Sequence, residues 1–382
     1  MIHRLDETEV TELATGRPSV ATVRKLTQAQ RSKQRLLLEA VRRGCPAAEP
    51  AFTLLAEVEH TEPRLVAKLL DLPQLGLWAV DGLARLRRGE TPDPGYLNAL
   101  AAVAAIRAHR PCDLPGDPLL LPGLGRWADG RWTPVPRLTL AGDGLELRLA
   151  VDALDPRFAV FGDRLTPGPA ELETLRARLA EAWHLLVRLD RRAAAALAAG
   201  VRTLVPLREP GAGASSGWAW GTVALYIPPD PVRLAEALLH EFQHLVLGAV
   251  DDLAPLTSPA DTSRRYVPWR ADPRPVAGVL QGCYAFLAVT AFWRRIVRTG
   301  PPPGRRQEAE TEYARWREAT HATAEALAEG PGLTPAGEQF ARGIARRIHP
   351  WLAEPLPPES VRQAATLRHA HHERWRLAHE QE

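Results

Sequence analysis

Residues 237–248 read ALLHEFQHLVLG, and His240, Glu241 and His244 are the only side chains in the run, apart from Gln243, that are not apolar or glycine. On an α-helix, residues four apart share a face and lie about 6 Å apart along the axis, so two imidazoles can converge on one cation. Glu241 then stands one step round the helix. There a carboxylate can act on metal-bound water or enter the coordination sphere. The neighbours Leu238, Leu239, Phe242, Leu245 and Val246 predict that the stretch is buried. Buried histidine and glutamate require partners, and a metal ion supplies them. The spacing therefore predicts a metal site with His240 and His244 as ligands.

The identity of the metal turns on a third ligand. The extended protease pattern HExxHxxGxxH needs glycine at 247 and histidine at 250, where this chain has Leu247 and Val250. No glutamate stands between Glu241 and Glu308, so a glutamate from the helix that follows is missing too. Asp251 falls on the face of His244, but seven residues of unbroken helix span about 10 Å. Asp251 and Asp252 are expected at the helix end or in the loop beyond it.

Asp230 followed by Pro231 is a helix start, a capping carboxylate with proline at the first helical position, and the helix is expected to run to about Val250. A loop, DDLAPLTSPADTSRR, follows, then a second apolar helix over about 276–297 and two more over about 305–329 and 335–353, ahead of a polar tail. Upstream, residues 1–110 carry helical periodicity, as in QAQRSKQRLLLEAVRRG, where Leu36, Leu37, Ala40 and Val41 form one stripe and Gly44 marks the end. Residues 111–136 are rich in proline, glycine and tryptophan and read as a boundary or packed loop. PRLTLAGDGLELRLAVD reads as a β-hairpin turning at Gly142-Asp143-Gly144. A long helix to Gly200 and two strands, VRTLVPL and WAWGTVALYI, complete the middle. The expected fold is α+β and predominantly α-helical. A helical N-terminal lobe spans 1–110, a region of loop, small antiparallel β structure, long helix and strands spans 111–229, and a C-terminal helical half carrying the HExxH helix spans 230–382.

The 48 basic against 45 acidic side chains leave a net charge of +3, with no basic block interleaved with aromatics, so nucleic acid is not an expected partner. Nearly all the positive charge is arginine, the three lysines being Lys25, Lys33 and Lys68, which fits high-GC codon usage. The N-terminus MIHRLDETEV has no apolar signal region, and no run of about 18 apolar residues is present to span a bilayer. A cytoplasmic protein with no membrane partner is expected. Cys45, Cys112 and Cys283 lack the paired spacing of a disulfide framework or zinc ribbon and are expected to be reduced structural thiols.

From SSGWAWGTVALYIPPDPVRLAEALLHEFQHLVLGAVDDLAPL through RRYVPWRADPRPVAGVLQGCYAFLAVTAFWR, the sequence resembles the HExxH-motif peptide-modification family, whose members act on ribosomally made peptides, alone or fused to radical SAM enzymes. The opening HRLDETEVTELATGRPSVATVRKLTQAQRSKQRLLL resembles the start of such proteins as well. The resemblance implies an iron(II), α-ketoglutarate-dependent oxygenase that uses O2 to hydroxylate a β-carbon in a precursor peptide. By position it makes His240 and His244 the iron ligands and Glu241 part of the site. Two imidazoles, a further ligand and open positions are what non-haem iron chemistry requires. Members of the family often carry histidine where this chain has Phe286, which cannot coordinate. The third ligand then comes from Asp251, Asp252, Asp261, Asp272 or Glu241 itself, or the metal site is weak or vestigial.

In PWRADPRP, Arg270 and Arg274 sit among prolines that stiffen the loop, and either guanidinium could grip the distal carboxylate of a dicarboxylate co-substrate. The alternative is a structural salt bridge to Asp272 or Asp252. Tyr284 is a candidate to hydrogen-bond a metal-bound oxygen or the co-substrate, against a plain core role. Cys283 and Gln281 read as packing. WAWGTVALYI could align an extended peptide by strand addition, with Trp218 and Trp220 facing it, or be an ordinary half-buried strand. His369, His371, His372 and His379 read as a solvated tail helix. Two alternatives stand beside the oxygenase: a zinc peptidase with Glu241 as general base and a third ligand from the glutamates at 308–312, and a non-catalytic scaffold that binds a precursor peptide or a radical SAM partner.

Overall fold

A computed structural model describes residues 3–114, 119–301 and 303–379. As the periodicity predicts, the architecture is predominantly helical α+β, 62% helix with small antiparallel and mixed sheets. In chain order come α1 (Glu7–Ala14), α2 (Val20–Gly44), α3 (Glu49–Thr61), α4 (Pro63–Leu69), α5 (Pro73–Arg87) and α6 (Gly95–Arg107). Strands β1 (Leu119–Leu121), β2 (Gly125–Ala128), β3 (Arg131–Pro134), β4 (Arg137–Gly142) and β5 (Leu145–Val151) lead into α7 (Pro169–Leu189) and α8 (Arg191–Gly200). Then follow β6 (Thr203–Pro206), β7 (Gly213–Ala214), β8 (Thr222–Leu225), α9 (Pro231–Asp251), β9 (Arg264–Arg265) and β10 (Arg274–Pro275). The chain closes with α10 (Val276–Thr299), α11 (Arg306–Glu329), α12 (Pro335–Leu352) and α13 (Pro358–His379).

The chain divides into two compact units. One comprises Arg24–Trp183 and Ala198–Leu234. Its helical part is built on Val41, Val58, Leu69, Leu97 and Leu100, all fully buried, and its five-stranded sheet runs β4-β5-β6-β8-β7. β4 and β5 form the expected hairpin, with Leu138 opposite Leu149 and Leu140 opposite Leu147. The turn places Asp143 and Gly144 at φ 42° and 75°, a left-handed pair that aspartate-glycine tolerates. β5–β6 and β6–β8 pair in parallel, so the sheet is mixed where a purely antiparallel region was expected.

The other unit comprises the segment ending at Val23, His184–Leu197 and the chain from Ala235 onward. α10 is its central helix, with Cys283, Tyr284, Leu287 and Trp293 fully buried. By length and composition α10 could cross a membrane, but 78% of its apolar stretch is buried within the protein. α1 is started by a reciprocal cap, in which the backbone N–H groups of Asp6 and Glu9 each donate to the other's carboxylate at 2.8 Å.

Several expectations are corrected. The long helix to Gly200 breaks at Asp190, whose carboxylate accepts from the Ala193 N–H at 3.0 Å and so caps α8 as a separate helix. Within the proline-, glycine- and tryptophan-rich stretch, residues 119–134 form a three-stranded sheet, β1-β2-β3, with Trp127 opposite Trp132 in register; Gly125, at φ 157°, leaves room for the Trp132 ring, which a Cβ there would meet at 2.6 Å. The buried stripe of α2 runs through Gln34, Leu38 and Val41, while Leu36 is exposed. β8 is flanked by β6 and β7 and buried at all four positions, so it offers no edge for an added strand. Trp218 and Trp220 fall in the turn before it. Trp220 is buried with its indole N–H donating to Thr27 Oγ1 at 3.2 Å, and Trp218 lies under the Lys33 ammonium.

Candidate metal centre

Asp230 caps α9, its carboxylate accepting from the Val232 N–H at 2.9 Å, with Pro231 in the first helical position as expected. Leu238, Phe242, Leu245 and Val246 are buried, which fixes the rotation of the helix about its axis. His240 and His244 therefore emerge on one face. Their Nε2 atoms lie 3.1 Å apart, with the rings nearly perpendicular at 79°. Two nitrogens reaching one ion at about 2.0–2.1 Å from this separation subtend roughly 95–102°, between octahedral and tetrahedral values. One ligand atom from each of His240, Glu241 and His244 lies within 4.8 Å of the others. Among the described residues, this is the one group of three or more histidine, cysteine or carboxylate side chains that could hold a metal. Two imidazoles and one carboxylate fit iron(II) and equally zinc.

The electrostatics favour ligation. Burial pushes His240 down to about 3, with His244 adding to the effect, so its imidazole is neutral and carries a lone pair at any physiological pH. His244 Nδ1 lies 3.0 Å from Gln281 Oε1. Donating Nδ1–H to that amide oxygen leaves the lone pair on Nε2, the atom that faces His240. Glu241 is 5% exposed.

Phe286 occupies the side of the site from which α10 could supply another ligand. Its ring is 5.3 Å from that of His240, edge-on at 86°. It stacks on Trp269 at 4.9 Å and 15° and packs on Trp316 at 4.3 Å, so three aromatic rings close this side. Gly282 makes the arrangement possible, since a Cβ there would come within 2.4 Å of Trp269 Nε1.

The other proposed ligands are engaged elsewhere. Asp251 accepts from the Leu256 N–H at 2.8 Å, and Asp261 from the Ser263 N–H at 2.8 Å and from Arg265 at 3.1 Å. Asp252 is exposed in the loop after α9. Glu310 accepts from Ser360 Oγ at 3.0 Å and Glu312 from the Trp316 indole at 2.6 Å, while Glu308 pairs with Arg305. The glutamates of 308–312 are thus not brought to the histidines.

Arg270 and Arg274 share one partner, Asp272, at 2.8 and 2.9 Å. Those two guanidiniums hold the Asp272 carboxyl far below the usual range, and the structural alternative for both arginines is the one realised. The loop that carries them is nevertheless anchored beside the site through Trp269. Tyr284 requires correction. Two residues from Phe286 is about 200° round the helix, and its fully buried hydroxyl donates to the Leu13 carbonyl at 2.7 Å. It packs against Phe340, and burial raises its phenol above the ordinary value.

Sequence reasoning missed Gln281, Trp269 and Trp316. Gln281 had a usable signal, as the one amide side chain in the apolar run of α10; the tryptophans had none. Tyr266 sits among the tail histidines, its hydroxyl 2.9 Å from His371 Nδ1 and its ring against His372 and Trp375, so α13 is docked rather than merely solvated. Compared with known proteins, no family model matches the chain and no curated protein matches it significantly.

Proposed function

We propose that the protein is an iron(II)- and α-ketoglutarate-dependent oxygenase that hydroxylates a β-carbon in a ribosomally made precursor peptide. The observation that carries the reading is the donor set: two imidazoles, one of them held neutral by burial, converging to 3.1 Å beside a buried carboxylate. The donor set suits zinc equally, so the choice of iron with α-ketoglutarate, the peptide substrate and a radical SAM partner rest on the sequence resemblance, and action in the cytoplasm rests on the charged N-terminal sequence.

In this reading His240, His244 and Glu241 hold the iron. When bound, the iron couples reduction of O2 and oxidative decarboxylation of the keto acid to succinate and CO2 with insertion of one oxygen atom into a C–H bond. Gln281 orients His244 by accepting its Nδ1–H. The Phe286, Trp269 and Trp316 rings exclude water from one side of the histidine pair. Arg274 or Arg270 receives the distal carboxylate by exchanging it for Asp272, a carboxylate for a carboxylate.

The test is anaerobic titration of apoprotein with iron(II) and then α-ketoglutarate, following the visible charge-transfer band of a chelated keto acid, with His240→Ala as control. A band in the parent protein that vanishes in the variant is expected. Its absence, together with tight stoichiometric zinc, assigns the same residues to a zinc hydrolase.

A further inference from the structure

We infer that the protein has a second binding site, on the face of α9 opposite the histidines, that takes an α-amino or α-amido carboxylate: a free apolar amino acid or the C-terminal residue of a peptide. At about 100° per residue, Leu239, Phe242 and Gln243 lie on the arc of α9 away from His240, Glu241 and His244, and they line a separate cavity.

The charge in that cavity is unbalanced. Arg17, Arg192, Arg295 and Arg347 line it against the single carboxylate of Asp190. Asp190 is paired with Arg295 at 2.7 Å, and Arg192 is paired with Glu12 at 2.7 Å. Among the described residues, neither Arg17 nor Arg347 has a carboxylate partner. The Arg347 guanidinium donates to the Thr15 carbonyl. Burial first, then Arg17, pushes it down to about 9, with Asp190 offsetting only part of the effect, so it stays a cation at neutral pH in a place that penalises cations. An anion relieves that penalty.

Gln243 supplies the second, independent observation. It is 4% exposed, its Nε2 donates to the Gly16 carbonyl at 3.4 Å, and its Oε1 has no hydrogen-bond partner. A buried acceptor without a donor is costly, so the site calls for a ligand with an N–H beside its negative charge. The apolar walls, Leu186, Leu239, Phe242 and Phe292, suit a hydrocarbon side chain. The clear interior is about 30 Å³, two or three water-sized groups at roughly 10–15 Å³ each, so the preformed space holds the carboxylate and its nitrogen, and the hydrocarbon is seated only as the apolar side chains of the wall part.

The cavity is built before any ligand arrives. Gly16 adopts φ +60°, a left-handed turn that glycine permits. The turn is pinned on both flanks, by Arg347 on the Thr15 carbonyl and Arg192 on the Arg17 carbonyl, which leaves the exposed Arg17 side chain free to reach a carboxylate.

The test is calorimetric titration of the full-length protein with N-acetyl-leucine, leucine and N-acetyl-leucinamide. The same titrations are run on Arg17→Ala, an exposed position whose loss does not threaten folding, and on Gln243→Leu with its melting temperature as a folding check. At least one carboxylate is expected to bind, the amide not, and Arg17→Ala to weaken binding about tenfold or more, the worth of a charged hydrogen bond. Preference for N-acetyl-leucine identifies a peptide end and preference for leucine a free amino acid; either supports the site. Equal binding of the amide, unchanged binding in Arg17→Ala, or no binding of either carboxylate up to about 10 mM overturns it.

Discussion

The ring of Phe286 meets that of His240 edge-on, centroids 5.3 Å apart at 86°. The position on α10 from which a third imidazole could reach the pair is thus filled by a hydrocarbon, wedged between Trp269 and Trp316. Phe286→His restores a nitrogen there. Metal affinity, measured by chelator competition, is expected to rise at least tenfold, with a loss of stability of about 1–3 kcal/mol from the weakened aromatic packing. Unchanged affinity would mean that this side of the pair is not a coordination position.

Gln281 fixes the tautomer of His244. Gln281→Leu removes the acceptor of Nδ1–H, and metal affinity is expected to fall roughly 10–100-fold, while Gln281→Glu, which keeps an acceptor, retains binding. The comparison separates an electronic role from simple packing.

Asp272 competes with any co-substrate for Arg270 and Arg274. Asp272→Asn is expected to tighten α-ketoglutarate binding severalfold in the charge-transfer titration, and Arg274→Ala in that background to reverse the gain. No change in either variant retires both arginines from co-substrate binding.

Tyr284→Phe leaves metal and co-substrate binding as they are, because the hydroxyl serves the Leu13 carbonyl. A stability loss of about 0.5–1.5 kcal/mol in urea unfolding is expected. A fall in turnover at unchanged stability would return Tyr284 to the reaction.

Asp152 is 2% exposed, and burial first, then Asp155, raises its carboxyl from 3.8 to about 6. A raised pKa means that the folded state holds the proton more tightly than the unfolded chain. Stability contributed by this group is therefore fully present below about pH 4 and declines as pH rises to about 6, by roughly 3 kcal/mol. Denaturation between pH 4 and 7 should show that downward contribution, and Asp152→Asn should remove it.

Much of the helical architecture was legible in sequence because period and caps agree: Asp230 and Pro231 start α9, and the apolar residues around the histidines set which face they share. The break at Asp190 was hidden because an aspartate that caps one helix looks, inside an alanine- and leucine-rich run, like one more exposed polar residue. The β1-β2-β3 sheet was hidden because its strands are only three or four residues long, β3 is exposed at every position, and no alternation of apolar and polar residues marks them. At the site, local spacing announced the two imidazoles. Trp269 and Trp316 reach Phe286 from elements distant in sequence, and no spacing encodes that.

The burial of α10 carries a consequence for how the protein is made. Its 24 residues form an apolar rod of roughly 36 Å, and it leaves the ribosome before α11 and α12, which cover it, have been synthesised. A chain cut near residue 300 would present that rod to water or to lipid, so fragments ending there should partition into aggregates or membranes. The cover of α10 is thus supplied by helices that contribute none of the candidate metal ligands.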